Sequence, residues 1–148
     1  MLRQMASSAM GRRLSGARSC RYGSAAPSVF DKIVQLTVVD KEGHRHVLRG
    51  LEGQTVADVL QGHTDILGED VLALSPSVPD QLEAHIKIPT ELFDTFPAPS
   101  DEVARQLTQV AAPASIDIHS RLASNITLSC KTGDILVSLG DLAPWKTL

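Results

Sequence analysis

The sequence predicts an α+β domain in which a mixed sheet grips one main helix. Three observations carry this: a β-branched run and its return across a short Gly-containing turn, a helix start with matched cap residues, and two further apolar runs beyond a second helical segment. The chain has 148 residues, enough for one domain with a modest core, and neither an internal repeat nor a second domain is visible.

The elements follow in order. Ile33 to Val39 is a β-branched run that reads as a strand. Asp40-Lys41-Glu42-Gly43 supplies a turn with Gly where positive φ is tolerated, and His44 to Arg49 returns as the hairpin partner. Thr55 followed by Asp58 forms an acidic variant of the capping box, with Val56, Val59 and Leu60 as the buried helix face. Glu83 to Ile88 reads as the next strand, halted by Pro89. Glu91 to Phe96 reads as one helical turn, and Pro97-Ala98-Pro99-Ser100 caps a helix from Asp101 to about Val110. Two closing strands, Asn125 to Ser129 and Ile135 to Leu139, flank a turn at Lys131-Thr132-Gly133-Asp134.

Residues 1–26 stand apart from this pattern. They contain Arg3, Arg12, Arg13, Arg18 and Arg21, no acid, and many Ser, Ala and Gly, the composition of a mitochondrial transit peptide. No apolar run there approaches the ~20 residues of a membrane span, so a direct membrane span is not expected. Residues 27–148 are then the domain. Removing the leader leaves 9 bases against 17 acids, a net charge of about −8 that argues against nucleic acid and anionic lipid as partners. Cys20 leaves with the leader, and Cys130 alone cannot form an internal disulfide, which suits a reducing compartment.

Several segments, in this order, resemble the adrenodoxin-type mitochondrial [2Fe-2S] ferredoxins. Val38-Val39-Asp40-Lys41-Glu42-Gly43 with Gly53-Gln54-Thr55-Val56 is similar to the family's opening. Ala84-His85-Ile86 resembles the Cys-His-Val after its cluster loop, Leu92-Phe93-Asp94 with Pro97-Ala98-Pro99-Ser100 its entry to the partner helix, and Ser120-Arg121-Leu122-Ala123-Ser124 its Ser-Arg-Leu-Gly-Cys. The resemblance covers residues 32–140 and implies a β-grasp, ferredoxin-like mixed sheet packed on one main helix.

It also implies four cysteine ligands, a C-x5-C-x2-C triplet and a distant fourth. Counting back from His85 places Ser75, Gln81 and Ala84 at the triplet and Ser124 at the fourth position; counting forward from Asp65-Ile66-Leu67-Gly68 places Asp70, Pro76 and Pro79 there instead. Neither register supplies a thiolate, and clusters of this type are held by thiolates. Residues 69–132 contain no glycine, so the close backbone approach that serves cluster sulfurs is missing too. In its place run Val71-Leu72-Ala73-Leu74, with Val78 and Leu82, apolar enough to plug the vacated volume. A [2Fe-2S] cluster is therefore not expected.

Other chemistry is sparse. His63 with Asp65, Glu69 and Asp70 is a candidate site for a single metal ion, and His44 with His46 offers two imidazoles on one strand face. Neither a nucleophile and base pair, a phosphate loop nor paired carboxylates appears, so no enzyme and no small-molecule substrate are expected. The helix after Asp101 carries only two acids and a stripe of Val103, Leu107 and Val110, unlike the densely acidic docking helix of the ferredoxins. Val103, Leu107 and the only tryptophan, Trp145, are candidate interface residues; the alternative reading has the stripe face the core and Trp145 cover the domain's own core.

A cluster-free chain of this kind resembles the ferredoxin-like accessory subunit of plant and algal respiratory complex I, the NADH dehydrogenase of the respiratory chain. That likeness implies a place on the matrix side of the inner mitochondrial membrane, other subunits of the complex as partners, and a bridge between matrix and membrane arms. The alternatives are a ferredoxin-type electron carrier with unconventional ligands and a mononuclear metal-binding regulatory module.

Overall fold

A computed structural model describes residues 28–145; the leader reading and the last three residues of the tail lie outside them. Strands β1 (Ile33–Val39) and β2 (Arg45–Leu51) form the expected hairpin, closed by Asp40, whose carboxylate accepts the Glu42 and His44 amides, and by Gly43 at φ 91°. Helix α1 (Val56–Gln61) begins at the foreseen capping box. The Asp58 amide donates to Thr55 Oγ1 at 3.2 Å while the Thr55 amide donates to Asp58 Oδ2 at 3.0 Å. A short helix α2 (Thr64–Leu67) follows, then the two-stranded pair β3 (Ala73–Leu74) and β4 (Leu82–Glu83). The rest is β5 (His85–Lys87), α3 (Asp101–Val110), β6 (Ser120–Leu122) and β7 (Ile135–Leu139).

The main sheet has the order β2-β1-β7-β5-β6, with β1 and β7 parallel and the other pairs antiparallel. Its inner face, including Val34, Leu36, Val38, Leu48, Ile135 and Val137, closes over the fully buried Val56 and Leu60 of α1. This six-residue helix is the one gripped by the sheet. The longer α3 instead packs on β6, where Leu107 and Val110 meet Leu122, Ala111 and Leu142 in a separate cluster.

Three expectations require correction. The run from Glu83 to Ile88 is two strands: β4 pairs with β3, and β5 joins the main sheet on the far side of Ala84. Asn125 to Ser129 is not a strand of the sheet; Ala123–Asn125 is a 3-10 turn, and the following residues bond residues 53–56 through Val56 N to Ile126 O and Leu128 N to Gln54 O. Its alternation of buried Ile126 and Leu128 arises because the segment covers the start of α1. Finally, Ser100 occupies the N-cap of α3 with extended backbone, but its side chain makes no cap bond; Asp101 and Glu102 in the first turn favour the helix electrostatically.

Candidate functional site

The chain switches sheets at Ala84, and this switch assembles the residues that the cluster register singles out. Ala84 is fully buried between β4 and β5. The turn at Ala123–Asn125 lies beside it, because the Ala123 amide donates to Ala84 O at 3.0 Å. Across this junction reaches Glu83, only 2% exposed. Its Oε1 accepts the Ala84 amide at 3.2 Å and the Ser124 amide at 2.9 Å, and its Oε2 accepts the Ser124 hydroxyl. A buried carboxylate is tolerable only when its oxygens are so engaged. Two of the four register positions, Ala84 and Ser124, are thus tied together by a carboxylate that the motif reading passed over. The signal for it was a lone acid in the strand-like Leu-Glu-Ala-His-Ile run.

The other two positions meet in the β3–β4 hairpin, where Ser75 N donates to Gln81 O at 2.8 Å. Ser75 Oγ is occupied locally, by the amides of Ser77 and Val78 and the hydroxyl of Ser77. The hairpin turns through Asp80 at φ 62°, so a residue type that tolerates the left-handed region supplies what glycine would have. In the other register Asp70 and Pro79 are exposed and Pro76 half-buried.

The donor set of a [2Fe-2S] cluster is four thiolates. Here a methyl, an amide and two hydroxyls stand at those positions, with the Ser124 hydroxyl already donating to Glu83. The residues present do not fit the cluster. Val71 and Leu72 are buried in the main core, Leu82 packs against it and Ala73 joins the α3 cluster, as a plug requires. Leu74 and Val78 do not serve it; the hairpin turns both into solvent, at 50% and 47% exposure.

His85, next to the switch, lies buried at the base of the site. Its Nδ1 donates to Asp141 O at 3.0 Å, which leaves Nε2 to accept from the Ser120 hydroxyl at 2.9 Å. Burial, outweighing the favourable Asp141 carbonyl, holds this imidazole below its ordinary 6.5. The sign follows: between 6.5 and the lowered value the unfolded chain binds the proton more readily, so stability is full above pH 6.5 and is lost as pH falls below it. The expected result is a lower urea midpoint at pH 5 than at pH 7.5, with His85 ring resonances of the neutral form persisting below pH 6.5; an acid-insensitive midpoint would contradict it.

The metal candidates are not assembled. Among the described residues no group of three His, Cys, Asp or Glu is placed to hold a metal ion. His63 turns Nδ1 to Val59 O at 2.7 Å as the last turn of α1 ends, while Asp65, Glu69 and Asp70 point outward along α2 and the loop after it. His44 precedes β2, which starts at Arg45, and its ring and that of His46 turn to the same carboxylate oxygen of Asp40, at 3.4 and 2.8 Å. The hydrogen bond with His46, more than any other contact, holds Asp40 down to about 2.

Of the interface candidates, Leu107 is buried and Val103 partly buried against the α3 cluster, so the stripe packs on the domain's own core, the second reading of its apolar spacing. Trp145 is 69% exposed. An open groove of about 310 Å³ lies across β1, β5 and β7, walled by Val39, Ile88, Pro89 and Leu136. No helix among the described residues is long and apolar enough to cross a membrane.

A mixed sheet in this order, closed over α1 and followed by a loop that leads to the sheet switch at Ala84, is the ferredoxin-like β-grasp fold. Solved structures agree. A reduced single-site variant of putidaredoxin from Pseudomonas putida superposes with a TM-score of 0.54 at 19% identity, covering 72% of this chain and 96% of that one. A ferredoxin from Rhodopseudomonas palustris HaA2 gives a TM-score of 0.58 at 11% identity, covering 74% and 99%. A second putidaredoxin variant, described as an Fe2S2 ferredoxin, gives 0.54 at 20% identity, covering 72% and 96%. No protein-family model matches the chain, and no curated protein matches it in sequence.

Proposed function

We propose that this chain is a non-redox structural subunit of mitochondrial respiratory complex I, held on the matrix side of the inner membrane and bridging the matrix and membrane arms. The observation that carries the reading is the Glu83 carboxylate on Ser124 and Ala84. A ferredoxin-like fold has its ligand positions filled by hydrogen bonds between its own side chains and backbone, and its loop by Val71 and Leu72. A fold kept while its redox donor set is absent is useful for its surfaces, and a subunit needs surfaces. The Arg-rich, acid-free leader supports the compartment. The motif resemblance to the accessory subunit supports the assembly. As a docking protein it needs no catalytic residues.

The test is native-gel separation of detergent-solubilised mitochondria followed by mass spectrometry of each slice. The chain is expected to comigrate with the NADH dehydrogenase complex and to shift with it when the arms are split. Recovery only at the mass of a free monomer would overturn the reading.

A further inference from the structure

The sheet leaves one edge open, and hydrogen-bond parity shows what that edge offers. Asp40 N donates to His44 O at 3.0 Å and Glu52 N to Lys32 O at 2.8 Å, in register with the β1–β2 pairing. Even-numbered residues of β2 therefore bond β1, and odd-numbered ones turn their N–H and C=O groups outward. The end of the edge is closed by Gln54, whose Oε1 accepts the Leu51 amide at 2.8 Å and whose own amide donates to Leu51 O at 3.1 Å. Arg45, Val47 and Arg49 keep their outward groups toward solvent, since among the described residues no strand lies beyond β2.

The side chains of these same residues define the face beside that edge. Register places Val47, Thr37 and Leu136 in one row across β2, β1 and β7, and Arg45, Val39 and Ser138 in the next. Val47 is 59% and Leu136 39% exposed. The strand residues of this face carry no carboxylate, although the domain as a whole is strongly acidic. Neither Arg45 nor Arg49 joins an ion pair among the described residues.

The geometry points to an acidic, extended segment of a partner protein as the occupant, added as a sixth strand along β2 with its apolar side chains on Val47 and its carboxylates on Arg45 and Arg49. Backbone groups in extended geometry select a strand, and the two arginines select its charge. A second copy of the chain is disfavoured, because two-fold antiparallel pairing centred on Val47 sets Arg45 against Arg49 twice. A lipid surface is disfavoured by the acidity of the remaining body. This deepens the docking-subunit reading and rests on it, but the contact is measurable on the isolated full-length chain.

The probe is a blocked, labelled peptide Thr-Glu-Thr-Val-Thr-Glu-Thr, which as a strand sets Glu, Val and Glu on one face, with binding read by fluorescence anisotropy and amide exchange. The peptide is expected to bind and to slow exchange of the Arg45, Val47 and Arg49 amides. Val47→Pro removes one outward N–H and leaves the β1 ladder intact, as Pro can on an edge; at least tenfold weaker binding is expected. The double variant Arg45→Glu with Arg49→Glu, which makes no demand on the backbone, is expected to lose this peptide at least tenfold and to gain its counterpart with Lys in place of both Glu. Equal binding by both variants, equal binding of a backbone N-methylated peptide, or failure of the peptide with binding instead to phosphatidylserine vesicles or self-association in sedimentation would overturn the proposal. Peptide failure alongside comigration with the respiratory complex would sink this edge contact alone.

Discussion

Glu83→Ala is expected to destabilise the domain by about 3 kcal/mol, a drop of roughly 10 °C in melting temperature. The carboxylate satisfies two amides and a hydroxyl at the junction where β4 ends and β5 begins, and alanine leaves all three without their acceptor, the Ala84 amide among them fully buried. Glu83→Gln has the same shape and retains an oxygen for the two amides while its NH2 can donate to Ser124 Oγ. Its expected loss is about 1 kcal/mol, the size of one ordinary hydrogen bond. Urea or thermal unfolding of the two variants beside the parent checks the order. If Glu83→Ala were as stable as the parent, the carboxylate would not be what closes the site.

Gly140→Ala is expected to cost a similar amount, about 3 kcal/mol, for a steric reason. A Cβ on Gly140 would overlap Nδ1 of His85 and stand 2.5 and 2.7 Å from Cε1 and Cγ. The ring cannot step aside cheaply. It is pinned by Asp141 O on one nitrogen and Ser120 on the other, and Gly140 N itself donates to His85 O at 2.8 Å. Gly50→Ala is the informative contrast, since its Cβ overlaps Leu128 Cδ1 and stands 2.7 Å from Val59 Cγ2. Leu128 Cδ1 is the far end of a flexible side chain and can shift, while Val59 is stiff, so a smaller loss of about 2 kcal/mol is expected. Thermal melts of the two alanine variants, with the His85 Nδ1 proton followed by NMR, separate them: only Gly140→Ala should lose that resonance.

The local signals in the sequence located most of the architecture because they are the same interactions that build it. Ile33–Val39 alternates toward the core, Thr55 and Asp58 make the bonds their spacing implies, and Ile135–Leu139 is a strand over its whole foreseen length. Where the pattern misled, an alternation had a second physical origin. Ile126 and Leu128 are buried against the start of α1, not in the sheet, which nothing local to the segment could show.

The candidate site was half legible. That no thiolate stands at the ligand positions is plain from residue types alone. That Glu83 would cross to Ser124, 41 residues away in sequence, depends on the change of sheets at Ala84, which a continuous strand reading over Glu83 to Ile88 conceals. His63, Asp65, Glu69 and Asp70 illustrate the opposite error. They are close in sequence, but the three carboxylates lie exposed without forming a metal-holding group with the imidazole, which is taken by a backbone carbonyl.

The most direct test is the iron and acid-labile sulfide content of the protein isolated anaerobically from mitochondria, read with its visible spectrum. Colourless protein, with neither element at stoichiometric level, is the result expected of a scaffold whose ligand positions are closed by Glu83 and Ser124. Brown protein with about two irons and two sulfides per chain would contradict it.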